Sequence, residues 1–164
     1  MRRVIILQGV SGSGKSTFAR NIADRLRPGY KTVTIVSADD YFTTNGVYTF
    51  RPEKLDQAHA ACFRNFLEAI QFHNDPTCVI VDNTNTTHVE IAPYILAARA
   101  MFVGDLEVVS IICDPTIAKR RNQHGTPDIV IERQHNRIVE CGLSWPRHWP
   151  ALQTIDENGI YQST

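Results

Sequence analysis

The chain has 164 residues, about what one compact domain uses. A composition of 43% hydrophobic, 21% charged and 9% aromatic residues excludes disorder, collagen-like repeats and coiled coil. The 17 basic and 17 acidic residues balance, which argues against coating of nucleic acid or anionic membrane by bulk charge but allows a local basic patch.

Short β-branched runs alternate with helical patterns, the arrangement expected of an α/β sheet with parallel strands. The apolar run Val4–Leu7 is shorter than the ~7–15 apolar residues of a signal peptide, so a first strand is expected over Arg3–Gln8. A helix follows from near Gly14 to Leu26, stopped by Pro28-Gly29, and a second strand over Thr32–Val36. After Arg51-Pro52, Leu55, Cys62, Phe66 and Ile70 recur at helical spacing, predicting a helix that ends at Asp75-Pro76. The third strand is placed at Cys78–Val81. Thr87-His88-Val89-Glu90 reads as a capping box opening a helix that ends before Gly104, and the fourth strand is placed at Glu107–Ile112.

Further on, Pro115–Arg121 reads as a short helix and Asn122–Gly125 as a turn. Thr126-Pro127 reads as an N-cap with proline at the first helical position, opening a helix to Cys141 with Gly142 as its stop. Pro146–Pro150 is expected to be irregular, and a fifth strand lies within Leu152–Ile160. The most apolar stretch, Val89–Val103, contains Glu90, Pro93 and Arg99 and falls short of the roughly 18 residues a membrane span requires. Cys62, Cys78, Cys113 and Cys141 have no metal-binding spacing and read as reduced thiols of a cytoplasmic protein.

The strongest motif is GVSGSGKS, Gly9–Ser16, which fits G-x-x-x-x-G-K-[ST] between an apolar strand and an amphipathic helix. Gly9, Ser11, Gly12, Ser13 and Gly14 belong to a loop whose backbone N–H groups cradle phosphates, with the helix dipole behind them. Lys15 is expected to reach the β- and γ-phosphates of ATP, Ser16 to ligate Mg²⁺, and Thr17 to add a hydroxyl. Directly after the second strand comes Ser37-Ala38-Asp39-Asp40-Tyr41-Phe42. Ligands of open α/β sheets bind at the carboxyl ends of strands, so Asp39 or Asp40 can accept the proton of an attacking hydroxyl. Val79-Ile80-Val81-Asp82 ends the third strand in an acid placed for a metal-bound water or the acceptor, followed by Asn83. Lys119-Arg120-Arg121 before the Asn122–Gly125 turn, with Arg133 and Arg137 after it, suits a lid over the triphosphate. Neither an N-K-x-D nor a D-x-x-G signature of switch GTPases is present, so a kinase is the expected class.

These residues resemble the P-loop polynucleotide 5′-kinases, which include the bacteriophage repair kinase and kinase domains of animal and bacterial proteins. The resemblance runs over roughly residues 3–140. It rests on Gly9–Arg20, on SADDYF followed by Gly46-Val47-Tyr48-Thr49-Phe50, on Leu55 with Ala58-His59, on VDNTNT at Val81–Thr86, and on the lid run Arg121–Pro127. It implies one P-loop kinase domain over residues 1–164, with a parallel sheet of four to five strands, helices on both faces and a small helical lid over about 115–141. It also implies an ATP- and Mg²⁺-dependent transfer to the 5′-hydroxyl end of DNA or RNA, with no membrane and no required protein partner. Asp39 becomes the general base, Asp82 supports the metal or acceptor, and Arg120 or Arg121 reaches over the phosphates. Where the phage enzyme has an arginine contacting the acceptor strand, this chain has Phe42; Phe42, Tyr41 and Tyr48 read equally as aromatics that stack on an acceptor base and as part of the core. Two other readings stand beside this one: a kinase of a small alcohol, and a non-catalytic ATP-binding module.

Overall fold

The computed structural model describes residues 1–71 and 75–160. β1 (Arg2–Gln8) feeds the glycine-rich loop, and α1 (Lys15–Leu26) leaves it. β2 (Thr32–Val36) runs into a 3-10 turn over Ala38–Phe42, then a small hairpin of β3 (Thr43–Thr44) and β4 (Val47–Tyr48). A second 3-10 turn, Pro52–Lys54, opens α2 (Leu55–Ile70). There follow β5 (Thr77–Asp82), α3 (His88–Ala100), β6 (Asp105–Ile112), α4 (Pro115–Arg121), α5 (Asp128–Leu143) and β7 (Leu152–Asp156).

The five long strands form one parallel sheet in the order β2-β5-β1-β6-β7. β1 is central because it can be covered on both faces: Val4, Ile5, Ile6 and Leu7 are all completely buried. Side chains alternate across a strand, so Val4 and Ile6 join the core under α2 and α3, while Ile5 and Leu7 join the core under α1. Phe66 of α2 fills the first core between Phe63 and Tyr94. A third cluster joins Val10 of the loop to Ala118 of α4 and to Ile131 and Ile138 of α5. The helical pair after β6 is thus packed on the loop itself. All four cysteines are free and buried, and no helix among the described residues is long and apolar enough to cross a membrane.

Several predicted boundaries shift. β1, β5 and β6 each begin one or two residues earlier than expected, and β5 also gains Asp82. α2 stops at Ile70 instead of reaching Asp75-Pro76, and residues 72–74 of that stretch lie outside the described residues. Leu55, assigned to its apolar stripe, is exposed, and Ala58 takes the buried position one turn on. Pro127 is itself the N-cap of α5, and Gly142 lies inside that helix, which runs on to Leu143. A glycine stop needs a left-handed backbone; Gly142 stays helical, and the end is closed by Ser144 and Trp145 donating their N–H groups to Glu140 and Gly142 carbonyls. β7 ends at Asp156 because its carboxylate accepts N–H bonds from Asn158 and Ile160, turning the chain. The β3–β4 hairpin is an addition. Its signal was Asn45-Gly46, which takes positive φ at both positions (51° and 79°), as a tight hairpin turn requires.

Candidate functional site

The loop Gly9–Gly14 lies where the sheet order reverses around β1, the crevice in which such sheets bind ligands. Its entry is fixed by the Gly9 N–H donating to the Thr84 carbonyl at 3.0 Å. Gly14 caps α1 in a left-handed conformation (φ 96°). Gly12 also has positive φ (81°), and a Cβ there would stand 2.1 Å from the Ala118 carbonyl oxygen, so the residue permits both the turn and the approach of α4. The buried Ser13 hydroxyl has no hydrogen-bond partner among the described residues.

Lys15 is buried, and its Nζ donates to the Val10 carbonyl at 2.8 Å. Burial pulls the Lys15 ammonium below its ordinary value, against the attraction of Asp82 and Asp39. Asp82, at the end of β5, is pushed above the usual carboxylate range by burial. The Ser16 hydroxyl, within hydrogen-bonding reach, and the charges of Lys15 and Arg20 oppose that shift. One Asp82 oxygen is buried without a hydrogen-bond partner among the described residues. The described residues hold no group of three His, Cys, Asp or Glu side chains that would bind a metal unaided. A partnerless carboxylate oxygen beside the Ser16 hydroxyl nevertheless fits Mg²⁺ that brings phosphate and water oxygens with it.

Asp39 is exposed at the start of the turn after β2. Its charge acts on Lys15, Asp82 and Asp40, which places it across from the loop. The Tyr48 hydroxyl donates to Asp39 Oδ1 at 3.2 Å, and the Tyr48 ring packs on His124 of the turn between α4 and α5 with centroids 4.5 Å apart. Burial, followed by the Asp39 charge, pushes the Tyr48 phenol up to about 12, so at neutral pH it remains a neutral donor to the carboxylate. From α5, the Gln134 side-chain oxygen accepts from the Ser11 N–H at 2.9 Å, joining that helix directly to the loop.

A family model described as an AAA domain matches residues 4–139. The chain belongs to the AAA domain family. Among curated proteins, it is 37% identical over 96 residues to human NEDD4-binding protein 2, covering 58% of this chain and 5% of that one. It is also 37% identical over 87 residues to 2',3'-cyclic-nucleotide 3'-phosphodiesterase of Pongo abelii, covering 51% of this chain and 18% of that one. The matched segments are therefore small parts of much longer relatives. Two solved structures share the fold at a TM-score of 0.58. One is a gluconokinase from Sinorhizobium meliloti 1021, at 18% identity, covering 94% of this chain and 82% of that one. The other is the Mycobacterium tuberculosis APS kinase in complex with AMPPNP and APS, at 17% identity, covering 94% and 87%. The AAA domain here thus has the P-loop kinase fold.

Within this AAA domain, Lys15, Asp39 and Asp82 lie within electrostatic reach of one another, and Ser16 is within hydrogen-bonding reach of Asp82. Other expected site residues have different places. Phe42 is buried in the core against Tyr41, Tyr48 and Phe50, so its ring is not open to an acceptor base. Asn83 is buried too. Its oxygen accepts the Ala38 N–H at 2.8 Å and its amide donates to Tyr94 and Cys62, which leaves it as a strut between β5 and the Asp39 turn rather than a substrate contact. Asp40 faces back to accept the Ser37 N–H at 3.2 Å, capping the turn that presents Asp39. Tyr41 is half exposed and donates to Gln57. Tyr48 holds Asp39 instead of offering a free stacking face. The exposed Thr17 hydroxyl accepts from Arg20 at 3.5 Å. Of the cations in the last turn of α4, Lys119 pairs with Glu132 at 2.5 Å. Arg121 is close enough to act on Cys113, whose thiol burial raises and which also feels Lys15; Arg120 is exposed.

Replacing Tyr48 by Phe removes the bond to Asp39 but keeps the ring on His124. The expected result is a fall in kcat of about 10- to 150-fold, the equivalent of one hydrogen bond to a charged group at about 1.5–3 kcal/mol, with KM for ATP unchanged. A steady-state comparison that found both constants altered equally, or neither, would remove Tyr48 from the role of positioning Asp39.

Proposed function

We propose that this AAA domain transfers the γ-phosphoryl group of ATP to an alcohol, the 5′-hydroxyl end of DNA or RNA. The observation that carries the reading is Asp39: an exposed carboxylate on a capped turn, held by Tyr48, within electrostatic reach of both Lys15 and Asp82. In this reading, the loop N–H groups and Lys15 bind the β- and γ-phosphates. Asp39 takes the proton of the attacking hydroxyl, the new O–P bond forms in line, and the bond to the bridging oxygen breaks with its electrons leaving on ADP. Magnesium bound with the nucleotide would neutralise phosphate charge, with Ser16 and Asp82 as its protein partners. Arg121 closes over the phosphates from α4.

The nucleic-acid acceptor is supported by the DDYF, VDNTN and R-N-x-H-G-x-P runs in combination, and by a relative named for an activity on cyclic nucleotides. A second reading, a kinase of a small alcohol, is favoured by the fold neighbours, one of which is a gluconokinase. A panel of 5′-OH oligonucleotides, nucleosides and sugar acids with γ-labelled ATP and magnesium tests both. Label on oligonucleotides is expected; label on small alcohols alone would establish the second reading. Nucleotide binding with no transfer to any acceptor would leave a binding module.

A further inference from the structure

A half-open cavity of about 400 Å³ lies outside the transfer centre, walled by the Asp39 turn, the β3–β4 hairpin and the segment leading into α2. We infer that it is an acceptor subsite that grips a phosphodiester of a polynucleotide strand, downstream of the hydroxyl being phosphorylated. This rests on the proposed kinase reading for which hydroxyl reacts, but not for what the cavity binds.

The lining is chemically one-sided. Arg51 and Lys54 bring two cations, Thr44 and Thr49 bring hydroxyls, and the half-exposed Tyr41 supplies aromatic surface over the buried Phe42. Among the described residues, no carboxylate lines the cavity; Glu53 and Asp56, nearby in sequence, are not part of it. Neither Arg51 nor Lys54 is in an ion pair among the described residues, although the chain as a whole is neutral. Two cations left without acids beside threonine hydroxyls suit a phosphate, which a guanidinium can bind bidentately and an ammonium as a point charge. A cavity of this size holds about one small-ligand unit, with the Tyr41 ring placed to contact a base or sugar.

Position argues for a polymer. Tyr41 and Phe42 belong to the same 3-10 turn as Asp39, and at a rise of about 2 Å per residue the cavity wall begins about 4–6 Å along the axis from the base. The two faces of the hairpin are separate: Thr43 pairs with Tyr48 on one and Thr44 with Val47 on the other. Tyr48 faces Asp39 and the lid, whereas Thr44 and Val47 line the cavity. A ligand in the cavity is therefore on the acceptor side of the turn, away from the loop. An acceptor whose hydroxyl meets Asp39 must continue past the turn to place an anion between Arg51 and Lys54, as a strand does.

The test is direct binding without turnover. Fluorescence anisotropy of a labelled 5′-OH single-stranded oligonucleotide of about a dozen nucleotides would compare the wild type with Arg51→Ala/Lys54→Ala across a salt series. The double variant is expected to bind at least 10-fold more weakly, with the slope of log K against log salt reduced by about 0.7, the value for one neutralised phosphate of a single strand. ATP affinity and the thermal midpoint should be unchanged. Equal affinity and slope in the two proteins, or no oligonucleotide binding by the wild type, would overturn the subsite. A defect confined to gluconate or another small anionic alcohol would overturn its assignment to nucleic acid. The two inferences fail separately. Binding through Arg51 and Lys54 without transfer removes the kinase reading alone; transfer to the oligonucleotide by the double variant at unchanged KM removes the subsite alone.

Discussion

Asp39→Asn is expected to lower kcat by about 10² to 10⁴, the range contributed by a general base positioned in the transition state, while ATP affinity stays within a few-fold. The split follows from the geometry. Asp39 sits on the acceptor side, at the exit of β2, and the loop, Lys15 and Ser16 that face the nucleotide do not depend on it for position. The turn that presents it is held from elsewhere: Asp40 caps its start, the Asn83 oxygen accepts the Ala38 N–H, and the Ser37 hydroxyl donates to the Asp82 carbonyl at 2.9 Å. Asparagine keeps the size and can still accept the Tyr48 hydroxyl, so the variant removes the proton acceptor with little else. Single-turnover transfer with excess enzyme and equilibrium titration of a fluorescent ATP analogue read the two effects independently. Transfer at the wild-type rate would exclude Asp39 as the base; a large loss of nucleotide affinity would move it to the phosphate side.

The parts of this site that were legible in the sequence are those whose chemistry is local. A glycine-rich loop between an apolar strand and an amphipathic helix is specified within some 25 residues, because the turn and the donors that bind phosphate are all backbone groups of one segment. Strand ends were legible for a related reason: β1 and β5 are buried on both faces, so they read as unbroken apolar runs, and the acid that follows has to emerge at the carboxyl edge. The residues that were misplaced are set by contacts far apart in the chain. Asn83 reads locally as turn chemistry, but Ala38, 45 residues away, and Tyr94 determine its bonds. Asn85, in a left-handed conformation (φ 45°), donates to the Leu7 carbonyl and so ties β5 to β1. VDNTN is thus largely a lashing of strand ends, with Asp82 as its chemical member. Phe42 reads locally as either core or a stacking aromatic, and the packing of Tyr48 and Phe50 against it, from residues after it in the chain, puts it in the core. Gln134 carried no sequence signal, since an isolated glutamine on a helix gives no hint of a loop N–H 123 residues earlier in the chain.

Lys15→Met should be the most damaging single change to nucleotide handling, lowering transfer by at least 10³ and weakening ATP binding at least 10-fold. Methionine fills nearly the same buried volume, so the loss is one of charge rather than packing. The ammonium lies among Asp82 and Asp39, on a loop that must accept a polyanion, and it is buried enough that burial lowers its pKa. Charge in so dry a place acts more strongly than the same charge in water, and it is already in position when charge develops on the transferring group. Without it, the triphosphate would meet two carboxylates with no buried cation of the protein beside them to offset their charge. The variant should remain folded: methionine cannot donate to the Val10 carbonyl as the Lys15 Nζ does, but Val10 stays packed against Ala118 and Ile131. Circular dichroism and the thermal midpoint serve as the control. Calorimetric titration with ATP and magnesium gives the affinity, and transfer at saturating ATP isolates the catalytic part. If affinity fell but transfer at saturation did not, Lys15 would act in the ground state alone, and the stabilisation of the transferring phosphoryl group would have to come from Arg121 and the loop amides.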